Sequence, residues 1–195
     1  GIVGGGDGGG GGLGPGEIDI RTTPPVVLHH VDTPTIAALN GGAAGYGLDL
    51  ALGCDMRVAA ESAKLAAAFT KRGVLPESGG TWLLPRLIGW AKATEIAFTG
   101  ATLSAKEALE LGLVNSVVPD ASLMDATLDL AGRVAANAPL AVRATKRMMR
   151  AAMDESFETN VHHVFLQLLP LFQSKDFAEG MASFLERRPP DFTGR

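Results

Sequence analysis

The sequence is poor in cysteine, in aromatic rings and in basic charge, and each shortage narrows what the chain can be. Cys54 is the one cysteine among 195 residues, so no internal disulfide can form and a reducing compartment is expected. Aromatic residues make up only 6% of a chain that is 46% hydrophobic, so the core has to be assembled from Ala, Leu and Val. Lys and Arg number 17 against 21 Asp and Glu, for a net charge of −4, which argues against a nucleic-acid binder and its basic face. No apolar run reaches the roughly 18 residues of a membrane helix. No charged segment followed by an apolar one opens the chain, so no secretory leader is expected. These absences together predict a soluble, cytoplasmic protein with neither membrane nor nucleic-acid partner, long enough for one substantial domain.

Glycine is in excess at the start, where it fills eleven of the first 16 positions. Such a stretch has no side chains to pack and loses the most backbone entropy on ordering, so it reads as a flexible loop or a linker. It does not read as a phosphate loop, because no Lys-Ser or Lys-Thr pair follows it. Residues 17–33 are mixed and polar, with Pro24-Pro25 and the His29-His30 pair. The apolar run Thr35–Leu39 suits a strand buried on both faces, and Asn40-Gly41-Gly42 breaks it. Tyr46–Gly53 reads as a helix, Asp55–Ala59 as a second strand and Lys64–Ala67 as a short third. Gly73–Pro76 is a loop, and Glu77-Ser78 looks like the leading edge of a helix running toward Leu87. Helices are then expected over 90–98 and 104–111, the second with the Ser104/Glu107 spacing of a capping box. A strand over Val114–Val118 is followed by four helices, over 122–137, 139–153, 155–172 and 175–187. The domain reading is an irregular start over 1–32, a strand–helix core over 33–120 and a helical part over 121–195.

The most informative segment is Asn40-Gly41-Gly42-Ala43-Ala44-Gly45-Tyr46-Gly47-Leu48-Asp49-Leu50. Small residues let another group approach the backbone, and the helix that follows brings free N–H groups and the positive end of a dipole to the same place. That arrangement stabilises an oxyanion developing on a carbonyl. On pattern alone the segment reads just as well as a tight strand-to-helix turn with no chemistry.

The order of the residues adds to this. The segment resembles the Asn-Gly-x-Ala-x-Gly-x-Gly run of the enoyl-CoA hydratase/isomerase (crotonase) superfamily. It is followed by Leu50–Ala59 with its Cys54-Asp55-x-Arg57 strand, then by Gly73-Val74-Leu75-Pro76-Glu77-Ser78-Gly79-Gly80-Thr81 and Leu84-Pro85-Arg86-Leu87-Ile88-Gly89. Thr99-Gly100, Ala105-x-Glu107-Ala108, Gly112-Leu113-Val114 and Val117-Val118-Pro119 continue the match, which runs from about Thr33 to Phe192. The resemblance implies an α/β fold, a spiral of strand–helix units with an all-helical C-terminal part, assembled as a homotrimer or a hexamer. It implies an acyl-CoA thioester as substrate, with no cofactor beyond the coenzyme A that the substrate carries. The backbone N–H of Tyr46, between Gly45 and Gly47, would be one oxyanion donor, and Gly4, in Gly4-Gly5-Gly6-Asp7, the other. The family carries a longer stretch ahead of that second donor, so a fragment or an incomplete N-terminal core is expected here.

Hydratases of the family use two glutamates, and the matching positions here are Asp49 and Phe69. A phenylalanine cannot move a proton, which disfavours a two-glutamate hydratase. Glu77 matches a loop position that is acidic in some family isomerases. It follows Pro76 and is expected to open a helix, whose dipole would favour its anion. A carboxylate beside apolar residues can be tuned for proton abstraction. The leading expectation is therefore double-bond isomerisation with Glu77 as proton carrier and Asp49 assisting. The alternatives are hydration or thioester hydrolysis with either acid activating water, or a non-catalytic fragment that keeps only the assembly surface. Trp82 is expected to border the acyl pocket or simply to pack. Phe184 and Arg187 resemble the family's C-terminal aromatic and cation that touch coenzyme A, and a solvated helix end is the other reading. His162 and His163 are adjacent on a helix, so their side chains diverge by about 100°; a metal pair needs a spacing of three or four, and no metal site is expected.

Overall fold

The structure, a computed structural model, describes residues 23–195. Helix α1 (Pro24–His30) leads into a spiral in which the chain adds one strand to each of two small sheets before crossing back through helix. The first turn of the spiral is β1 (Ile36–Leu39), β2 (Gly42–Ala44) and α2 (Tyr46–Gly53). The second is β3 (Met56–Ala60), β4 (Lys64–Ala66), α3 (Gly80–Ile88) and α4 (Trp90–Thr99). The third is β5 (Thr102–Ser104), α5 (Ala105–Glu110) and β6 (Ser116–Val118). One sheet has the order β1-β3-β6 with both pairings parallel. The other has the order β2-β4-β5, with β4 and β5 antiparallel. Helices α6 (Leu123–Ala135), α7 (Pro139–Ala151), α8 (Phe157–Phe172) and α9 (Lys175–Glu186) form the helical C-terminal part. Among the described residues, no helix is long and apolar enough to cross a membrane.

The core is small-residue and aliphatic, as the composition requires. Leu48, Leu52, Val58, Leu65, Leu84, Ile96 and Leu113 form one buried cluster with alanines between them. Within it sits a cation: Arg57 on β3 is 4% exposed. Its guanidinium donates to the carbonyls of Ala51 and Cys54 at the end of α2 and to that of Leu113. Asn115 closes the same knot, its side-chain oxygen accepting from the Arg57 N–H and its own N–H donating to the Arg57 carbonyl. Gly53 is equally constrained, because a Cβ there would stand 2.6 Å from the Pro25 carbonyl oxygen of α1. At the chain end, buried Asp176 accepts from the backbone N–H groups of Thr193 and Gly194 and ties the last residues to α9.

Several elements differ from the sequence expectation. His29 and His30 lie on α1, a seven-residue helix opened by two prolines, where no element was expected. His29 packs edge-on against Trp82 with ring centroids 5.3 Å apart. β2 and β5 are three residues each, too short to show a period. β1 is only half-buried, because among the described residues it pairs on one side alone. α3 begins at Gly80, so Glu77 and Ser78 lie in the turn ahead of it rather than at its first residues.

Replacing Arg57 by Met keeps most of the volume and removes the donors from the Cys54 and Leu113 carbonyls. Buried unsatisfied groups of this kind cost about 1–3 kcal/mol each. Urea unfolding of Arg57→Met should lose at least about 2 kcal/mol, and a loss within experimental scatter would contradict the role given to this cation.

Candidate active site

The glycine turn lies between β2 and α2. Gly45 has φ 55° and ψ −122°, a conformation open to glycine and closed to side-chain-bearing residues. Its N–H donates to the Ala66 carbonyl at the end of β4, which fixes the turn to the neighbouring strand. The first four N–H groups of a helix lack intrahelical acceptors. In α2 those of Leu48 and Asp49 turn back to the Gly45 carbonyl. Those of Tyr46 and Gly47 find no acceptor among the described residues. A Cβ on Gly47 would meet nothing within 4 Å, and its φ is not in the left-handed region. Packing among the described residues therefore imposes no glycine at 47; it leaves room beside the turn.

One turn further along α2 is a chamber of about 150 Å³. α2 contributes Leu48, Asp49 and Leu52, the segment after β4 contributes Ala67 and Phe69, and the start of α3 contributes Gly80, Thr81 and Leu84. α4 supplies Trp90, Ala93, Thr94, Ala97 and Phe98, a spacing of three, four, seven and eight that keeps one helix face turned inward. Asp49 is the one carboxylate in this described lining, and it is 1% exposed. The Ser78 N–H donates to its Oδ2 at 3.2 Å. Among the described residues its Oδ1 has no hydrogen-bond partner, nor has the buried Ser78 hydroxyl. Burial raises the Asp49 carboxyl to about 6, with the charge of Glu77 adding in the same direction. The Ser78 and Gly80 amides oppose this, the second without completing a hydrogen bond to Oδ1. Gly80 comes so close that a Cβ there would be 2.2 Å from Asp49 Oδ1 and 2.9 Å from the Pro76 Cβ.

The expected site residues fall into three groups. Gly45, Tyr46, Gly47 and Asp49 are brought together along six residues of turn and helix. Glu77 stands nearby but outward: its neighbours Pro76 and Gly80 line the chamber, while its own side chain is exposed and does not. Of the two acids, the shorter is the enclosed one. Trp82 is turned away, because it is one residue off the Thr81–Leu84 face. It packs between His29 and the Arg86 guanidinium, 3.9 Å above its ring. Phe184 is 78% exposed on α9, and Arg187 caps that helix in the left-handed region at φ 56°; neither lines the chamber. Gly4 lies outside the described residues. Sequence reasoning missed Ser78 and Gly80, which touch Asp49, and the α4 face, whose apolar spacing was legible.

Comparison with known proteins follows the same lines. The family model described as Enoyl-CoA hydratase/isomerase matches residues 26–195. The chain is 42% identical over 167 residues to the 1,2-epoxyphenylacetyl-CoA isomerase of Escherichia coli K12, covering 83% of this chain and 62% of that protein. It is 40% identical over 169 residues to the carnitinyl-CoA dehydratase of Salmonella agona, covering 85% of this chain and 65% of that protein. It superposes with a TM-score of 0.87 and 39% identity on the crystal structure of an enoyl-CoA hydratase from Bacillus anthracis, over 90% of this chain and 68% of that one. The chain spans less than two thirds of the length of the two curated relatives.

The closeness of Gly80 to Asp49 yields a direct expectation. Gly80→Ala forces the carboxylate or the Pro76 loop to move, an overpacking that costs about 1–3 kcal/mol. Thermal unfolding of Gly80→Ala should show that loss, and Asp49→Asn should not reverse it, because the added methyl meets either side chain at the same place. A Gly80→Ala protein as stable as the parent would contradict the described packing.

Proposed function

This chain belongs to the enoyl-CoA hydratase/isomerase family, and from that premise we propose that it binds an acyl-coenzyme A thioester and shifts a double bond in its acyl group through an enolate. The observation that carries the proposal is the placement of Asp49: a buried carboxyl on the wall of a mostly apolar chamber, one helical turn beyond the Tyr46 N–H, with neither its Oδ1 nor that N–H partnered among the described residues. Three residues of helix span about 4.5 Å along its axis. A thioester oxygen at the Tyr46 N–H thus leaves the adjoining carbons within reach of Asp49 and the rest of the acyl group in the chamber.

In this mechanism the Asp49 carboxylate takes a proton from the carbon next to the thioester. The C–H electrons pass into the carbonyl, and the resulting oxyanion is held by the Tyr46 N–H at the positive end of α2. By family resemblance the second donor is Gly4. Protonated Asp49 then returns its proton to the far end of the conjugated system, and the double bond moves with no atom gained or lost. One carboxylate suffices, which agrees with the phenylalanine at position 69. A carboxyl raised to about 6 is a stronger base than an ordinary aspartate yet is still ionised at neutral pH. No cofactor enters this chemistry. A second reading rests on Glu77, whose turn is flanked by residues of the chamber wall: from there it would take the proton on the solvent side, or activate water for hydration or hydrolysis.

For assembly we propose a trimer or a hexamer. α8 leaves Phe157, Phe165 and Leu169 exposed on a single chain, an apolar face that a second copy would cover.

The experiment uses protein extended by any preceding segment, a panel of enoyl-CoA thioesters, and deuterium exchange at the carbon next to the thioester. Asp49→Asn should slow exchange by about 10²–10⁴-fold, and Glu77→Gln should slow it far less. The reverse order moves the proton to Glu77, and no exchange in any variant removes the proposal. Sedimentation of the same preparations should give a trimer or a multiple of it, and a stable monomer at micromolar concentration contradicts the assembly.

A further inference from the structure

The chamber has a size and a wall composition that the catalytic reading does not use. The chain has only two tryptophans and eight phenylalanines, yet Phe69, Trp90 and Phe98 all line this one space. Phe69 is buried, whereas Trp90 and Phe98 are each 74% exposed. Eight residues apart on α4, they stand two helical turns from each other on the face turned to the chamber. Large rings exposed to water contribute nothing to the core, and here they flank the space. Between them α4 presents only small groups, Ala93, Thr94 and Ala97. An apolar cavity of about 150 Å³ takes one guest the size of benzene, and this chamber has about that volume.

Resting on the acyl-CoA reading above, we propose that the chamber selects an acyl group ending in a single planar ring over a straight chain, and that Ala97 and Trp90 set this preference. A ring entering the chamber fills it in one piece and meets Phe69, Trp90 and Phe98 edge or face, the arrangements aromatic pairs favour. A long straight chain exceeds the volume, and its tail has to leave past the two rim rings into water. A very short chain leaves the rings uncovered. Ala97 controls depth, because a larger side chain there occupies the space a ring needs. Trp90 controls the rim, and at its exposure it can be removed without disturbing the core.

The test measures binding of phenylacetyl-CoA, butanoyl-CoA and dodecanoyl-CoA to the extended protein by calorimetry. None of these thioesters carries an alkene to isomerise, so they report the pocket without turnover. Phenylacetyl-CoA should bind about tenfold or more tighter than either straight chain. Ala97→Leu should lower the phenylacetyl-to-butanoyl affinity ratio by about tenfold, and Trp90→Ala should lower it by about 3–10-fold, as loss of an aromatic contact does. Dodecanoyl-CoA binding as tightly as phenylacetyl-CoA, or ratios unchanged in both variants, overturns the ring preference while leaving the acyl-CoA reading in place. No measurable binding of any thioester overturns both. If Ala97→Leu does not fold, Trp90→Ala alone decides the matter.

Discussion

The arrangement depends on one buried cation. Arg57 holds the carbonyl end of α2 through Ala51 and Cys54 and ties it to the chain ahead of β6 through Leu113. Burial lowers the guanidinium's pKa from its ordinary value, yet an arginine stays charged in such a setting, and the helix carbonyls offer it the negative end of a dipole. With its C-terminus fixed to the sheet, α2 has little freedom at its other end. There the Gly45 N–H is fastened to the Ala66 carbonyl. The eight-residue helix is thus pinned at both ends, and everything between them, including Asp49, takes its position from that.

The pinned helix carries a cost that packing alone does not explain. Buried polar atoms in folded proteins nearly always find partners, but Asp49 Oδ1 and the Ser78 hydroxyl have none among the described residues. A folded-state value near 6 lies above the ordinary aspartate value near 4. The stability associated with the proton on Asp49 is therefore fully present below about pH 4 and is lost as pH rises through about 6. At neutral pH the fold carries an ionised carboxylate in a mostly apolar chamber, held by one amide hydrogen bond. A carboxylate in that setting, close to backbone N–H groups with no acceptor among the described residues, suits the proton transfer proposed for it.

Much of the fold was legible because its signals are local. The capping box at Ser104 and Glu107 forms as its spacing predicts, and the long helices of the C-terminal part begin and end within a few residues of expectation. β2 and β5 were not legible, since three residues are too few to show a period; both pair with β4, which lies between them. α1 was hidden by its paired prolines, which are compatible with a first helical turn but rarely announce a helix this short. At the site, the glycine turn and Asp49 were legible as a motif. The enclosure of Asp49 and the exposure of Glu77 were not, because they depend on α3 starting at Gly80 rather than two or three residues earlier. For Trp82 the sequence left pocket wall and plain packing equally open, and its ring packs between His29 and Arg86.

The account's central claim is that Asp49 is a buried carboxyl tuned for proton transfer. NMR titration of the carboxyl carbons in aspartate-labelled protein, with Asp49→Asn identifying the signal, measures this without reference to any substrate. The account predicts one aspartate titrating near pH 6 that disappears in the variant. An Asp49 signal titrating near 4, the ordinary aspartate value, would contradict it.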